Sequence, residues 1–400
     1  MNSSSPYFIQ NISQGLVDPD QVIIRADAGG EGEVIYDSAI STVQGLWPAT
    51  TAYNETLANG TTVVGPLNGY QYILIESVEP DDDISLEGWT DCKTFTNSTE
   101  QFYASPFFKA KEQQSSQFLQ ALAPYLGGRP AQFENMWNIY DYVEVQSVHN
   151  ATFAGEIPPA FVQQARDLAN WHEYYVFSSP DPNSINTVAV RTFVPSLTEY
   201  INRIANSSDP LKFAYTAASY KPFISLFNVT GVAEMNTTFA GVVDFAASVA
   251  LEVRTSPSTG PFIRFNFKNG TNDLSYNTYG IMGSASGDVP IQTFIDTLSP
   301  IAIENLPQWC NLCGNNFSRG CQYLQEGNVN ADTKGLRWGG SVSPVGAGFL
   351  GAGLTVFVVG ISVMVGIALG VLRVGKARPV RRGSKASSGE LELVGRAEKV

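Results

Sequence analysis

Histidine is scarce in this chain of 400 residues, and the two present are His149 and His172. Neither has a serine or cysteine in the sharp strand-to-helix turn that presents a hydrolase nucleophile. The sequence therefore gives no support to a serine or cysteine triad that uses a histidine base. Both histidines fall in predicted helices, where we expect packed or surface side chains.

Cysteine is also rare, and the complete set is Cys92, Cys310, Cys313 and Cys321. A structural zinc site needs two ligand pairs at suitable spacing, and only Cys321 lies near the Cys310-x-x-Cys313 pair. We therefore expect two disulfides, formed in an oxidising compartment, and no metal site. Of the three possible connectivities, we favour Cys313 with Cys321 and Cys92 with Cys310.

Basic residues are outnumbered, with 24 Lys and Arg against 37 Asp and Glu, for a net charge of −13. Nucleic-acid binding needs a basic surface, so the sequence excludes nucleic acid as a partner. The acidic run of Asp81, Asp82 and Asp83 has two interpretations, a calcium ligand set and a hydrated loop, and we favour the loop. We predict no cofactor.

Charged residues are absent from 338–372, and residues 349–372 read FLGAGLTVFVVGISVMVGIALGVL. Roughly 20 apolar residues span a bilayer as a helix, so residues 349–372 predict a transmembrane helix. The tail, 373–400, carries eight basic and three acidic residues. Since short basic flanks stay cytoplasmic, we expect an N-terminal ectodomain that is extracellular or lumenal. The basic tail is expected to contact anionic membrane lipid.

N-x-S/T sequons occur only before the predicted membrane helix, as in a glycosylated ectodomain. The first residues have neither the basic nor the apolar region of a signal peptide, so we expect an upstream segment to be missing. Asn2 and Asn11 also lie in sequons, but they are not among the predicted glycosylation sites. The predicted glycosylation sites are Asn54, Asn59, Asn97, Asn150, Asn206, Asn228, Asn236, Asn269 and Asn316.

Apolar periodicity predicts an α/β ectodomain interrupted by helices. The predicted strands are 21–25, 70–75, 212–216, 245–253 and 262–267, and the predicted helices include 34–46, 135–149, 159–177 and 187–205. The expected order is an α/β core, first part (1–98), a helical insertion (99–186), the second core part (187–331), a stalk (332–348), the membrane helix (349–372) and the tail (373–400).

Several separated blocks resemble the histidine acid phosphatases, in particular a fungal, membrane-anchored type, and this family includes phytases. The blocks are FENMWNIYDYVEVQSVHN (133–150), PAFVQQARDLANWHEYYVFS (159–178), PFIRFNFKNGTNDLSYNTYG (261–280), DVPIQTFIDTLSP (288–300) and WCNLCGNNFSRGC (309–321). The resemblance covers roughly residues 21–321. It implies a histidine-phosphatase-like α/β core with an inserted helical domain.

The resemblance also implies a catalytic site that this sequence lacks. The family's nucleophile is a histidine in an R-H-G-x-R-x-P motif, which does not occur here. Its general acid is the aspartate of an H-D pair, and Ser219 and Tyr220 stand at those positions. Arg25 aligns with a phosphate-binding arginine of the family and is the candidate residual phosphate ligand. The alternative, which we favour, is an ordinary arginine at a strand end. Because loss of a covalent nucleophile costs about 10⁶ in turnover, we assign no catalytic residue.

The sequence thus predicts a single-pass membrane glycoprotein whose phosphatase-like ectodomain is inactive or strongly impaired, with a phosphorylated small molecule as a candidate ligand. One alternative is a truncated form of an active acid phosphatase that hydrolyses extracellular or lumenal phosphomonoesters with a displaced acid such as Asp209 or Glu234. Another alternative is a cell-surface binding or structural module. The sequence predicts no oligomeric state.

Overall fold

The computed structural model describes residue 5 and residues 7–29, 32–257 and 260–328. These residues belong to one compact unit, Met1–Val329. The unit mixes helices with parallel and antiparallel strands, so the predicted α/β class is confirmed at this level. Within the described part, no helix combines the length and apolar character of a membrane span. The predicted stalk, membrane helix and tail lie outside the described residues.

The strands of the described residues are short, apart from one long hairpin. They are β1 (Val22–Asp27), β2 (Glu55–Thr56), β3 (Thr62–Val63), β4 (Glu76–Val78), β5 (Phe213–Ala217), β6 (Ser248–Ser256), β7 (Gly260–Lys268), β8 (Asn277–Thr278) and β9 (Asp288–Pro290).

Helices occupy most of the chain between β4 and β5 and recur after β5. They are α1 (Gly32–Leu46), α2 (Pro66–Gly69), α3 (Lys93–Ala104), α4 (Pro106–Leu122), α5 (Met136–His149), α6 (Ala151–Glu156), α7 (Pro159–Phe177), α8 (Val188–Arg191), α9 (Val194–Ala205), α10 (Tyr220–Val229), α11 (Val232–Met235), α12 (Ile291–Leu298), α13 (Leu306–Cys313) and α14 (Cys321–Asn328).

The first sheet contains three parallel strands in the order β4-β1-β5. Arg25 in the middle strand is paired with Glu76 on one side and Thr216 on the other. The carboxyl ends of all three strands therefore meet at one edge, which is where ligand sites of parallel sheets form. The second sheet contains the β6–β7 hairpin with β8 and β9 paired to β7.

Separate apolar clusters hold these layers together. The second sheet packs on α9, α10 and α12 around Phe227, Phe265 and Phe294, all fully buried. The helices α4, α5 and α7 enclose a cluster of their own that includes Phe108 and Met136. The helical region thus has its own core, although the division at 99–186 stays a prediction.

Two predicted elements are wrong. Residues 70–75, predicted as a strand, form none, and pairing begins at Glu76 instead. The β-branched and aromatic character of this segment is misleading, because Tyr72 and Leu74 face solvent, at 72% and 84% exposure. The single helix predicted at 187–205 is divided into α8 and α9, and Pro195 lies in the first turn of α9, a position that suits proline.

Two disulfides are confirmed, but the predicted pairing is wrong. Cys92 is bonded to Cys313, and Cys310 is bonded to Cys321. Cys310 and Cys313 lie on one helix, α13, which ends at Gly314 in a left-handed conformation (φ 61°). The chain then turns back and brings Cys321 beside Cys310, which leaves Cys313 facing Cys92. The prediction had exchanged the partners of Cys310 and Cys313, because it took no account of the directions in which α13 presents the two side chains.

Candidate functional site

Arg25 lies near the carboxyl end of β1 and is buried among hydrogen-bond acceptors. Its Nε lies 3.0 Å from Oε2 of Glu76, and Nη2 lies 2.6 Å from Oδ2 of Asp83. Its Nη1 donates to the hydroxyls of Ser196 at 3.2 Å and Ser85 at 3.4 Å. Each nitrogen of the guanidinium therefore has a protein partner.

Both acidic partners are held in place by the sheet and the loop that follows β4. Glu76 is the register partner of Arg25, and Asp83 accepts a second hydrogen bond from the backbone N–H of Ser85 at 2.7 Å. Burial alone would lower the pKa of Arg25, but Tyr200, Asp83 and Glu76 together raise it above its usual value. The guanidinium of Arg25 therefore stays charged, and its single positive charge is paired with the carboxylates of Glu76 and Asp83.

The positions aligned with the family's H-D pair lie where β5 meets α10. Ser219 precedes the helix, and its buried hydroxyl has no hydrogen-bond partner among the described residues. Tyr220 donates from its hydroxyl to Oε2 of Glu173, at 2.8 Å. His172 Nδ1 lies 2.7 Å from Oε1 of that carboxylate, and its ring is packed among aromatic side chains. Tyr220 is therefore engaged with a buried acid from α7.

Lys221 adds a second cation at this edge. It is 8% exposed, and its Nζ lies 5.0 Å from the ring centre of Trp89 and 5.9 Å from that of Trp137. Such distances are typical of cation–π contacts. The ammonium therefore packs between aromatic walls contributed by the loop after β4 and by α5.

The other candidate residues lie elsewhere in the molecule. Asp209 precedes β5 and accepts hydrogen bonds from Arg203, which together with the backbone N–H of Leu211 lower its pKa. Glu234 lies in α11, beyond the far end of α10, which spans about 15 Å. His149 is the exposed last residue of α5. The described contacts bring none of these groups to Arg25.

Sequence reasoning missed the partners that define this site. Glu76 is 51 residues from Arg25, and Glu173 is 47 residues from Tyr220, so no local pattern links them. Asp83 was visible as part of an acidic run, but its role as an ion-pair partner depends on the sheet register. Lys221 had no feature in the sequence that marked it as a site residue, apart from its place directly after Tyr220.

Comparisons with known proteins find distant structural similarity only. No family model and no curated protein matches the chain. The phytase from Citrobacter braakii is similar, with 10% identity and a TM-score of 0.46 over 74% of this chain and 82% of that chain. The Klebsiella sp ASR1 phytase has 11% identity and a TM-score of 0.46 over 73% and 79%. The phytase from D. castellii has 9% identity and a TM-score of 0.35 over 80% and 66%. Similarity at this level assigns no activity or site residue to this chain.

Proposed function

We propose that this chain is a histidine-acid-phosphatase-like ectodomain that does not hydrolyse phosphomonoesters and serves as a binding or structural module of a membrane glycoprotein. The observation that carries the proposal is the pairing of Arg25 with Glu76 and Asp83. A phosphate must displace Asp83 to reach the guanidinium, and the remaining carboxylate would repel it. Arg25 as a phosphate ligand stays a prediction that this arrangement disfavours.

The chemistry at the end of β5 supports the same proposal. Splitting a phosphoryl transfer into two steps needs a nucleophile, a cationic cradle and a general acid together. A serine and a tyrosine stand at the positions of the acid pair, and the tyrosine hydroxyl already donates to Glu173. Losing a general acid typically costs about 10²–10⁴ in rate, on top of the missing nucleophile.

The direct test is hydrolysis of p-nitrophenyl phosphate by the full-length chain between pH 3 and 6. We expect no turnover above the blank, because among the described residues no imidazole contacts Arg25, and a serine and a tyrosine stand at the predicted positions of the acid pair. The Arg25→Ala variant should give the same rate as the parent. Steady-state release of p-nitrophenol, measured at equal protein concentrations, gives the hydrolysis rate of the parent and of the variant.

Two results would overturn this proposal. The first is turnover by the parent that falls in the Arg25→Ala variant, which would make Arg25 a working phosphate ligand. The second is a trapped phosphoenzyme on this chain. An assay signal of equal size in both proteins, removed by further purification, would instead indicate a contaminating phosphatase and leave the chain inactive, as proposed.

A second candidate is an active acid phosphatase whose nucleophile lies on a segment outside this sequence. The observation favouring it is the outer edge of β5, which pairs only with β1 among the described strands. Unpaired strand edges accept further strands, and this strand ends at Ala217, two residues before Ser219. Phosphohistidine in protein isolated from its natural source, but not in this chain, would favour this candidate.

Glycosylation of the ectodomain is part of the proposal. Of the predicted sites, the exposed asparagines are Asn59, Asn97, Asn150, Asn206 and Asn316, whereas Asn54, Asn228, Asn236 and Asn269 are half-buried. Because a glycan must project into solvent, we expect occupancy to be higher in the exposed group. Peptide mapping after glycosidase treatment measures it, and a secreted chain with all sites empty would refute this part.

A further inference from the structure

A pocket of about 320 Å³ opens between α5, α6 and α7, on elements that contribute neither Arg25 nor Tyr220. We call it the α5–α7 pocket. Apolar and polar side chains both line it. Apolar surface comes from Ile157, Pro159 and Val162, and polar groups come from Glu144, Ser147 and Arg166. The volume lies at the lower end of the range for small-molecule sites, which often form between helices of a bundle.

Arg166 in the pocket wall is already neutralised. Its Nη2 is paired with Oδ1 of Asp244, and it donates to the backbone carbonyl of Val242 at 3.5 Å. An anionic ligand would therefore have to compete with Asp244 for the guanidinium. The arrangement disfavours phosphate and carboxylate ligands in this pocket.

Glu144 retains acceptor capacity. Tyr140, a buried residue, lies one turn earlier on α5. Burial raises the pKa of its hydroxyl, so this group stays protonated and carries no charge beside Glu144. A carboxylate offers about four acceptor positions, so Glu144 can accept a hydrogen bond from a ligand in the pocket. Glu144 and Asp244 carry two negative charges against the one positive charge of Arg166, so the net charge around the pocket is negative.

We propose that the α5–α7 pocket binds a small organic ammonium compound, with its charged group on Glu144 and its apolar part against Ile157, Pro159 and Val162. At about 30 Å³ per water-sized group, the pocket has room for a ligand of about ten non-hydrogen atoms. The two carboxylates around Arg166 favour a cation over a neutral or anionic molecule of the same shape. This inference is independent of the proposed loss of phosphatase activity.

The test uses three probes of nearly equal size on the full-length chain, namely 2-phenylethylamine, 2-phenylethanol and phenylacetate. Isothermal titration calorimetry gives the affinity of each. We expect the amine to bind about tenfold more tightly than the alcohol, because a hydrogen bond to a charged group is stronger than a neutral one. Phenylacetate should bind most weakly.

Two variants and a matched control locate the binding. Glu144→Gln should abolish the preference for the amine, and Ala154→Phe, which adds a ring at an exposed position of the pocket wall, should weaken amine binding. Glu156→Gln changes an exposed acid outside the pocket and should leave the affinities unchanged. Three results would each overturn the proposal. The first is equal affinity for the amine and the alcohol, and the second is no detectable binding of the amine at a concentration of about 10 mM. The third is a preference for the amine that stays unchanged in Glu144→Gln.

Discussion

Replacing Cys92 and Cys313 together with alanine is expected to lower the free energy of unfolding by about 5 kcal/mol. This disulfide joins residues 221 positions apart, so its loss frees a very long loop in the unfolded chain. The entropy of closing a loop grows with the logarithm of its length. Both sulfurs are fully buried, so the double variant also loses packing in the core around Trp309.

The second disulfide provides the matched control. Cys310 and Cys321 are only 11 residues apart, so the same double replacement is expected to cost about 3 kcal/mol. Urea unfolding followed by tryptophan fluorescence measures both losses. A smaller loss for the long-range bond than for the short one would contradict the loop-length explanation. Peptide mapping that joins Cys92 to Cys310 would contradict the pairing itself.

The elements that the sequence predicts well are those whose own residues decide the structure. The β-branched run of β1 and the alternating apolar residues of β7 form strands as expected, and Ile24 and Phe265 are buried in them. The segment at 70–75 has the same chemical character but pairs with no strand among the described residues. Since a strand exists only with a partner, its local pattern cannot reveal whether pairing occurs.

The candidate site is less predictable because its parts come together only through the fold. The family resemblance singled out Arg25 and Tyr220, but not the carboxylates that contact them. Glu76 reaches Arg25 through the β1–β4 register, and Glu173 reaches Tyr220 through the packing of α7 on α10. The disulfide pairing failed for a related reason, because the direction of a thiol depends on the helix that carries it.

Arg319 is the buried cation that holds the loop after β4 to the C-terminal helices. It is 5% exposed, and its guanidinium lies 4.8 Å from the ring centre of Trp309. Its donors reach the backbone carbonyls of Pro80, Asp83, Glu87 and Thr90. Burial lowers the pKa of this guanidinium, but arginine stays charged in proteins. The loop that supplies Asp83 to Arg25 is therefore fixed from its other side.

Arg319→Ala is accordingly expected to lower the free energy of unfolding by about 3–5 kcal/mol, because it leaves several buried carbonyls without donors. Arg319→Lys should recover only part of this loss, since an ammonium cannot reproduce the planar fork of donors. Arg254→Ala is the control: that side chain is 46% exposed and paired with Glu252, so its loss should cost less than about 1 kcal/mol. Urea unfolding of the three variants decides the matter, and equal losses for Arg319→Ala and Arg254→Ala would show that the buried contacts of Arg319 do not stabilise the fold.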